Sequence, residues 1–141
     1  MSAAVTIRVD SPDPIAEIGV LAQLAGRPEV VIAGPQGRPA VALAVLAGAD
    51  EDAVQWLAAL RAGTGLPIVV VIGPAEPGGL VRMVESGACG VLSRREATAD
   101  RMVRAVRLAA AGQGDLPAAL VRHLLDCLGQ RHRDQVRNGR G

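Results

Sequence analysis

The sequence predicts an α/β chain: a doubly wound five-stranded parallel sheet, its second helix missing or vestigial, with an extra C-terminal helix. Three observations carry this. Short β-branched runs alternate with segments of helical apolar spacing, a rhythm that implies parallel strands joined by crossover helices. The 141 residues suffice for one domain with a real core. Half of them are apolar, yet the aromatics reduce to Trp56. A core of Val, Leu, Ile and Ala suits helix-on-sheet layers better than an aromatic-filled sandwich.

Val5 to Val9 is the first strand, ended by Asp10-Ser11-Pro12-Asp13-Pro14. Ser11 or Asp13 can cap the first helix, and a proline in its first turn removes only an N–H that has no helical partner. That helix carries Ile15, Ile18, Leu21, Ala22 and Ala25 on one face and stops at Gly26. Pro28 to Ala33 reads as the second strand and Pro39 to Ala47 as the third. Only Gly34 to Arg38 separates them, too little for a helix. At about 3.3–3.6 Å per residue such a link could barely return along the sheet, so the second strand is expected as a weakly held edge. Asp50 to Ala62 is a helix with acids in its first turn and Arg61 in its last, matching the helix dipole. Leu66 to Ile72 is the fourth strand, and Leu80 to Ser86 a helix entered through Pro77-Gly78-Gly79. Cys89 to Leu92 is the fifth strand. Thr98 caps a helix to Ala111 with Met102, Val103, Val106, Ala109 and Ala110 inward. Pro117 opens the last helix, with Leu120, Val121, Leu124, Leu125 and Leu128 on one side. The boundaries expected are 1–116 for the domain, 117–130 for the helix and 131–141 for a polar, basic, frayed linker or tail.

A formal charge of +1 argues against a nucleic-acid surface over the whole domain. Cys89 and Cys127 have neither disulfide nor metal spacing, His123 and His132 stand apart, and Ser11 and Ser93 have no histidine within motif range. Cys89 is expected in the core; Cys127, near the last helix's stripe, is a candidate interface thiol. No apolar run approaches the roughly 18 residues of a membrane span. MSAAVTIRVD lacks a signal pattern. A cytoplasmic protein that is no enzyme, with no metal, no cofactor and no membrane contact, is expected.

GACGVLSRR at 87–95, followed by ATADRMVRAVRLAAAGQGDLPAALVRHLLD, resembles the end of response-regulator receiver domains, most closely the LuxR/NarL class. DSPDPIAEIGVLAQL at 10–24 is similar to the first turn and helix of that class. The resemblance covers roughly residues 4 to 128. It implies a site with an acid pair after the first strand that holds a divalent cation and an aspartate ending the third strand that accepts phosphate. A Ser/Thr after the fourth strand and a Lys after the fifth bind that phosphate. Aligned through Pro14 and Gly19, these positions fall on Ser11 and Pro12, Val45, Ile72 and Arg94. Neither Asp10 nor Asp13 restores the pair, since alternating strand faces and the turn aim them apart. Without carboxylates a hard cation has no ligands here, and Val and Ile cannot take or stabilise a phosphoryl group.

The expectation is therefore a pseudo-receiver, the phosphorylation-independent input domain of a LuxR-type helix-turn-helix regulator, acting through protein contact and homodimerisation. DNA would be met only through a C-terminal domain absent from this chain. The candidate interface is Ile15, Ile18, Arg101, Arg104, Arg107, Leu120, Leu124, Leu125 and Leu128. The arginine row is either a solvated face or pairs across a dimer with acids such as Glu17. Arg94 either greets an anion or acidic partner, or is simply solvated or paired with Asp10 or Asp13. A small-molecule ligand above Val45 is a further candidate partner. A displaced acceptor at Asp50 or Asp52, and a stand-alone protein- or ligand-binding scaffold, are the alternatives. The loop Gly73–Gly79 reads as a flexible turn, and it lacks the GK[ST] ending of a phosphate loop. Arginine without lysine, amid abundant Ala, Gly and Val, suggests a high-GC source such as an actinobacterium.

Overall fold

The computed structural model describes residues 3–138. Its elements run β1 (Val5–Asp10), α1 (Pro14–Leu24), β2 (Val30–Ile32), β3 (Val41–Leu46), α2 (Glu51–Thr64), β4 (Ile68–Ile72), α3 (Pro77–Glu85), β5 (Ala88–Ser93), α4 (Ala99–Ala110) and α5 (Ala118–Asn138). All strand pairs are parallel, in the order β2-β1-β3-β4-β5, so the doubly wound sheet stands as expected. β3 and β4 are buried at every residue, as central strands covered on both faces must be. On one side Ile7, Leu43, Val45, Val69, Val71 and Leu92 meet α1 and α4. On the other, Ala42, Ala44, Leu46, Ile68, Val70 and Ile72 meet α2, α3 and the first half of α5.

No helix lies between β2 and β3, and the register explains how so short a link suffices. β2 ends at Ile32 opposite Ile7 of β1, and β3 begins at Val41 opposite the same Ile7. The chain therefore need not return along the sheet, as the expected strand lengths would require. It steps sideways over one strand, about 10 Å for two strand spacings. A turn closed by Gly37 N–H on the Gly34 carbonyl (2.9 Å) helps it do so. The other adjustment lies in β1, where Val5, Ile7 and Val9 pack toward α1 and α4. Thr6, Arg8 and Asp10 alternate onto the other face. There Arg8 Nε and Nη2 donate to the Asp10 carboxylate at 2.7 and 2.8 Å.

Three helical faces differ from the sequence expectation. In α1 the buried residues are Val20 and Leu24, while Ile15 and Ile18 are 80% and 65% exposed. The i, i+4 row of Ala16, Val20 and Leu24 won because it is the one that meets β1 and β3. In α4 Ala105 is buried and Ala110 exposed. In α5 the leucine stripe divides: Leu120 is buried and Leu124 and Cys127 half-buried against the α2–α3 side, while Val121, Leu125 and Leu128 face out. Nor does α5 stop at residue 130. It continues to Asn138, so the expected frayed tail is helical that far, helped by Gln130–Asp134 and Arg133–Gln130 side-chain bonds one turn apart. Residues 139–141 of that tail lie outside the described residues. α3 begins at Pro77, so Gly78 and Gly79 form its first turn rather than a loop before it. Among the described residues no helix is long and apolar enough to cross a membrane.

Candidate functional site

A parallel sheet gathers its strand ends at one edge, and in open α/β sheets ligands and chemistry sit there. Here that edge holds Asp10–Asp13 after β1, Ala47–Asp50 after β3, Gly73–Glu76 after β4 and Arg94–Ala97 after β5. Ser11 reaches across to β3: its Oγ donates to the Val45 carbonyl at 2.7 Å and accepts from the Asp13 N–H at 3.0 Å. The hydroxyl proton is committed to holding the β1–α1 turn, and Pro12 is exposed beside it.

Val45 is 2% exposed and belongs to the α1–α4 layer. Above it lies a groove of about 200 Å3 lined by Ala16, Gly19, Val20, Val71, Arg94 and Ala97 among others. Ile72, 3% exposed, belongs to the opposite layer, so the structure does not bring these two side chains together. Arg94 is the residue they share. Its N–H donates to the Ile72 carbonyl at 3.0 Å, and its exposed side chain borders both the Val45 groove and a larger cavity beside Ile72.

Three of the nearby carboxylates, Asp10, Asp13 and Asp50, are engaged in structural work. Both oxygens of Asp10 are taken by Arg8, so Asp10 is not the partner of Arg94. Asp13 Oδ1 caps α1 through the Ile15 N–H at 3.0 Å, and Asp50 Oδ1 caps α2 through the Ala53 N–H at 2.8 Å. Asp52 stands exposed in the first turn of α2. Among the described residues no three His, Cys, Asp or Glu gather as a metal-holding group. Burial pushes the half-buried Cys89 thiol up from its ordinary value.

Small residues close the edge between β3 and β4. A Cβ on Gly73 would overlap the Ala47 carbonyl oxygen, and one on Gly79 would come within 2.8 Å of the Ala49 Cβ. The loop 73–79 is thus packed against 47–49, partly helical and less free than the flexible turn expected. At the far edge of β5, Asp115 N–H donates to the Cys89 carbonyl at 2.9 Å and Val91 N–H to the Asp115 carbonyl at 3.0 Å. That bridge blunts an exposed strand edge and leads the chain into α5.

Of the candidate contact residues, Leu120 is buried within its own chain and is not available to a partner. Arg101 binds Glu96 at 3.0 Å within the chain, whereas Arg104 and Arg107 are exposed. Ile15 and Ile18 on α1, and Val121, Leu125, Leu128 and Val136 on α5, face out, as do Val31 and Ile32 on the edge strand β2. The cavity beside Ile72 escaped sequence reasoning altogether. Its walls come from four separate segments, and no local pattern announces them.

No family model and no curated protein matches the chain. Solved structures do. The isolated receiver domain of RcsB from Salmonella enterica serovar Typhimurium, in its apo form, superposes with a TM-score of 0.70 at 16% identity, over 85% of this chain and 98% of that one. A LuxR-family two-component response regulator from Aurantimonas sp. SI85-9A1 gives 0.65 at 13% identity, over 87% and 96%. The receiver domain of a modulated diguanylate cyclase from Desulfovibrio desulfuricans G20 gives 0.61 at 22%, over 77% and 95%. The strand order, the two helical layers and these superpositions agree on one conclusion: the chain has the receiver-domain fold.

Proposed function

We propose that the chain is a pseudo-receiver, a regulatory input domain of a LuxR-type transcription regulator that works by association rather than phosphorylation. One observation carries the reading. At the position that the resemblance assigns to the phosphoacceptor stands Val45, an aliphatic side chain sunk into the core, while Asp10 nearby is ion-paired and Asp13 and Asp50 cap helices. An aliphatic side chain can neither hold a cation nor take a phosphoryl group, and among the described residues no three carboxylates gather beside it. The solved neighbours include two RcsB dimers bound to two parallel DNAs, at a TM-score of 0.64 and 16% identity, which supports association and DNA regulation as the output. In this reading DNA is contacted by a further domain, the exposed residues of α1 and α5 supply the contact between copies, and the module is not an enzyme.

The test is incubation with acetyl phosphate and Mg²⁺ followed by intact mass. The expected mass is unchanged; a stable phosphoryl adduct, on Asp50, Asp52 or elsewhere, would overturn the reading. Sedimentation at micromolar concentration tests association: a dimer is expected, converted to monomer by Leu125→Arg. A monomer at every concentration would leave the module without the proposed output.

A further inference from the structure

Between α3, the end of β5 and the start of α5 lies an open cavity of about 590 Å3. That volume falls within the range of small-molecule sites. Its walls are mainly apolar, from Ile72, Ala75, Leu80, Val91 and Pro117. At its mouth stand Arg94 and Arg95, consecutive and exposed, and among the described residues neither is ion-paired. Glu96 also borders the mouth, but its carboxylate is occupied: Oε1 accepts from Ser93 Oγ at 2.9 Å and Oε2 from Arg101 at 3.0 Å. Glu76, in the loop beside Ala75, is exposed and outside the lining. The mouth therefore presents two unneutralised guanidinium groups over an apolar interior.

We propose that this cavity binds a small amphipathic organic anion, its apolar body against Leu80 and Val91 and its carboxylate or sulfonate at Arg94 and Arg95. A neutral apolar molecule would gain only the interior, and a hydrophilic anion only the rim; an amphipathic anion gains both. The site has a consequence for signalling. Leu80 belongs to α3 and Pro117 leads into α5, so an occupant touches both helices at the junction where α5 docks. Binding biases how α5 sits, and α5 carries the outward leucines Leu125 and Leu128. The site stands or falls independently of whether the chain dimerises or resists phosphorylation.

Titration of the whole chain with anilinonaphthalene sulfonate, an aromatic sulfonate that fluoresces in apolar surroundings, tests it. One saturable site per chain is expected, emptied by sodium decanoate but not by decyltrimethylammonium. Arg94→Glu weakens binding about tenfold or more, the size of one charge-assisted contact. Leu80→Trp fills the cavity and abolishes binding, whereas Arg38→Glu, in the exposed β2–β3 link at the opposite edge of the sheet, leaves it unchanged. Circular dichroism and thermal unfolding report whether each variant is folded; if Leu80→Trp is not, Ala75→Leu fills the same space from the loop. Absence of saturable binding, survival of binding in the cavity-filled variant, or its loss in Arg38→Glu would each overturn the proposal.

Discussion

Gly73 and Gly78 are five residues apart and do opposite things. Gly73 is buried where two loops cross, and a methyl group there would meet the Ala47 carbonyl oxygen. Gly78 has nothing within 4 Å of the place its Cβ would take, and it lies in the first turn of α3. Gly73→Ala is expected to lose about 3 kcal/mol, at the upper end of overpacking costs. Gly78→Ala is expected to gain up to about 1 kcal/mol, because alanine restricts the unfolded chain and favours helix. Urea unfolding of the two variants checks both signs at once. A neutral Gly73→Ala would mean that the β3 and β4 loops are not packed together. Ser11 belongs to the same scale: it was legible as a departure from an acid pair, but its bond to the Val45 carbonyl depends on a residue 34 positions away.

α5 shows what periodicity can and cannot say about an element. Its spacing announces a helix with a leucine stripe, and the stripe is real. Which of its residues are buried depends on where α3 and the sheet lie, and only Leu120 of the stripe's five residues fully joins the core. Leu120→Ala is expected to lose about 2–4 kcal/mol, whereas Leu125→Ala changes stability by less than about 0.5 kcal/mol. Chemical denaturation at submicromolar concentration, where association does not contribute, measures the difference. Equal losses would mean that α5 docks through a different face. α1 carries the same lesson, since Ile15 and Ile18 look like an inner face until β1 and β3 choose Ala16, Val20 and Leu24 instead.

Across the whole molecule, ion pairs tie neighbouring elements together. Arg82 on α3 binds Glu51 on α2 at 2.6 Å, and Arg27 joins Glu29 before β2 to Asp100 on α4. The hydrogen bond from Arg82 holds the Glu51 carboxyl below its ordinary range, and that from Arg27 does the same for Glu29. A carboxylate whose value is depressed on folding contributes stability above its unfolded value of about 4.3, and the contribution fades as pH falls through the folded value. Both pairs are solvated, so the effect is small. Glu51→Gln is expected to have a lower urea midpoint than the parent at neutral pH, with the gap closing as pH falls below about 4.3. A gap that persists into strong acid would assign the loss to packing instead.

By itself the sequence determined the fold class, the strand order's two-layer logic and the absence of a second crossover helix. Those follow from local signals: periods of two and 3.6, caps such as Asp13, Asp50 and Thr98, and a link too short for a helix. Thr6, Arg8 and Asp10, alternating with Val5, Ile7 and Val9, even wrote the uncovered face of β1 into the chain, though that alternation becomes readable only beside the sheet. Tertiary structure alone decided the offset of β2 against β3, the choice of buried helix face and the cavity under Arg94. All three are relations between segments far apart in sequence, set by packing and register, and no local pattern can encode a distance to a partner it does not contain.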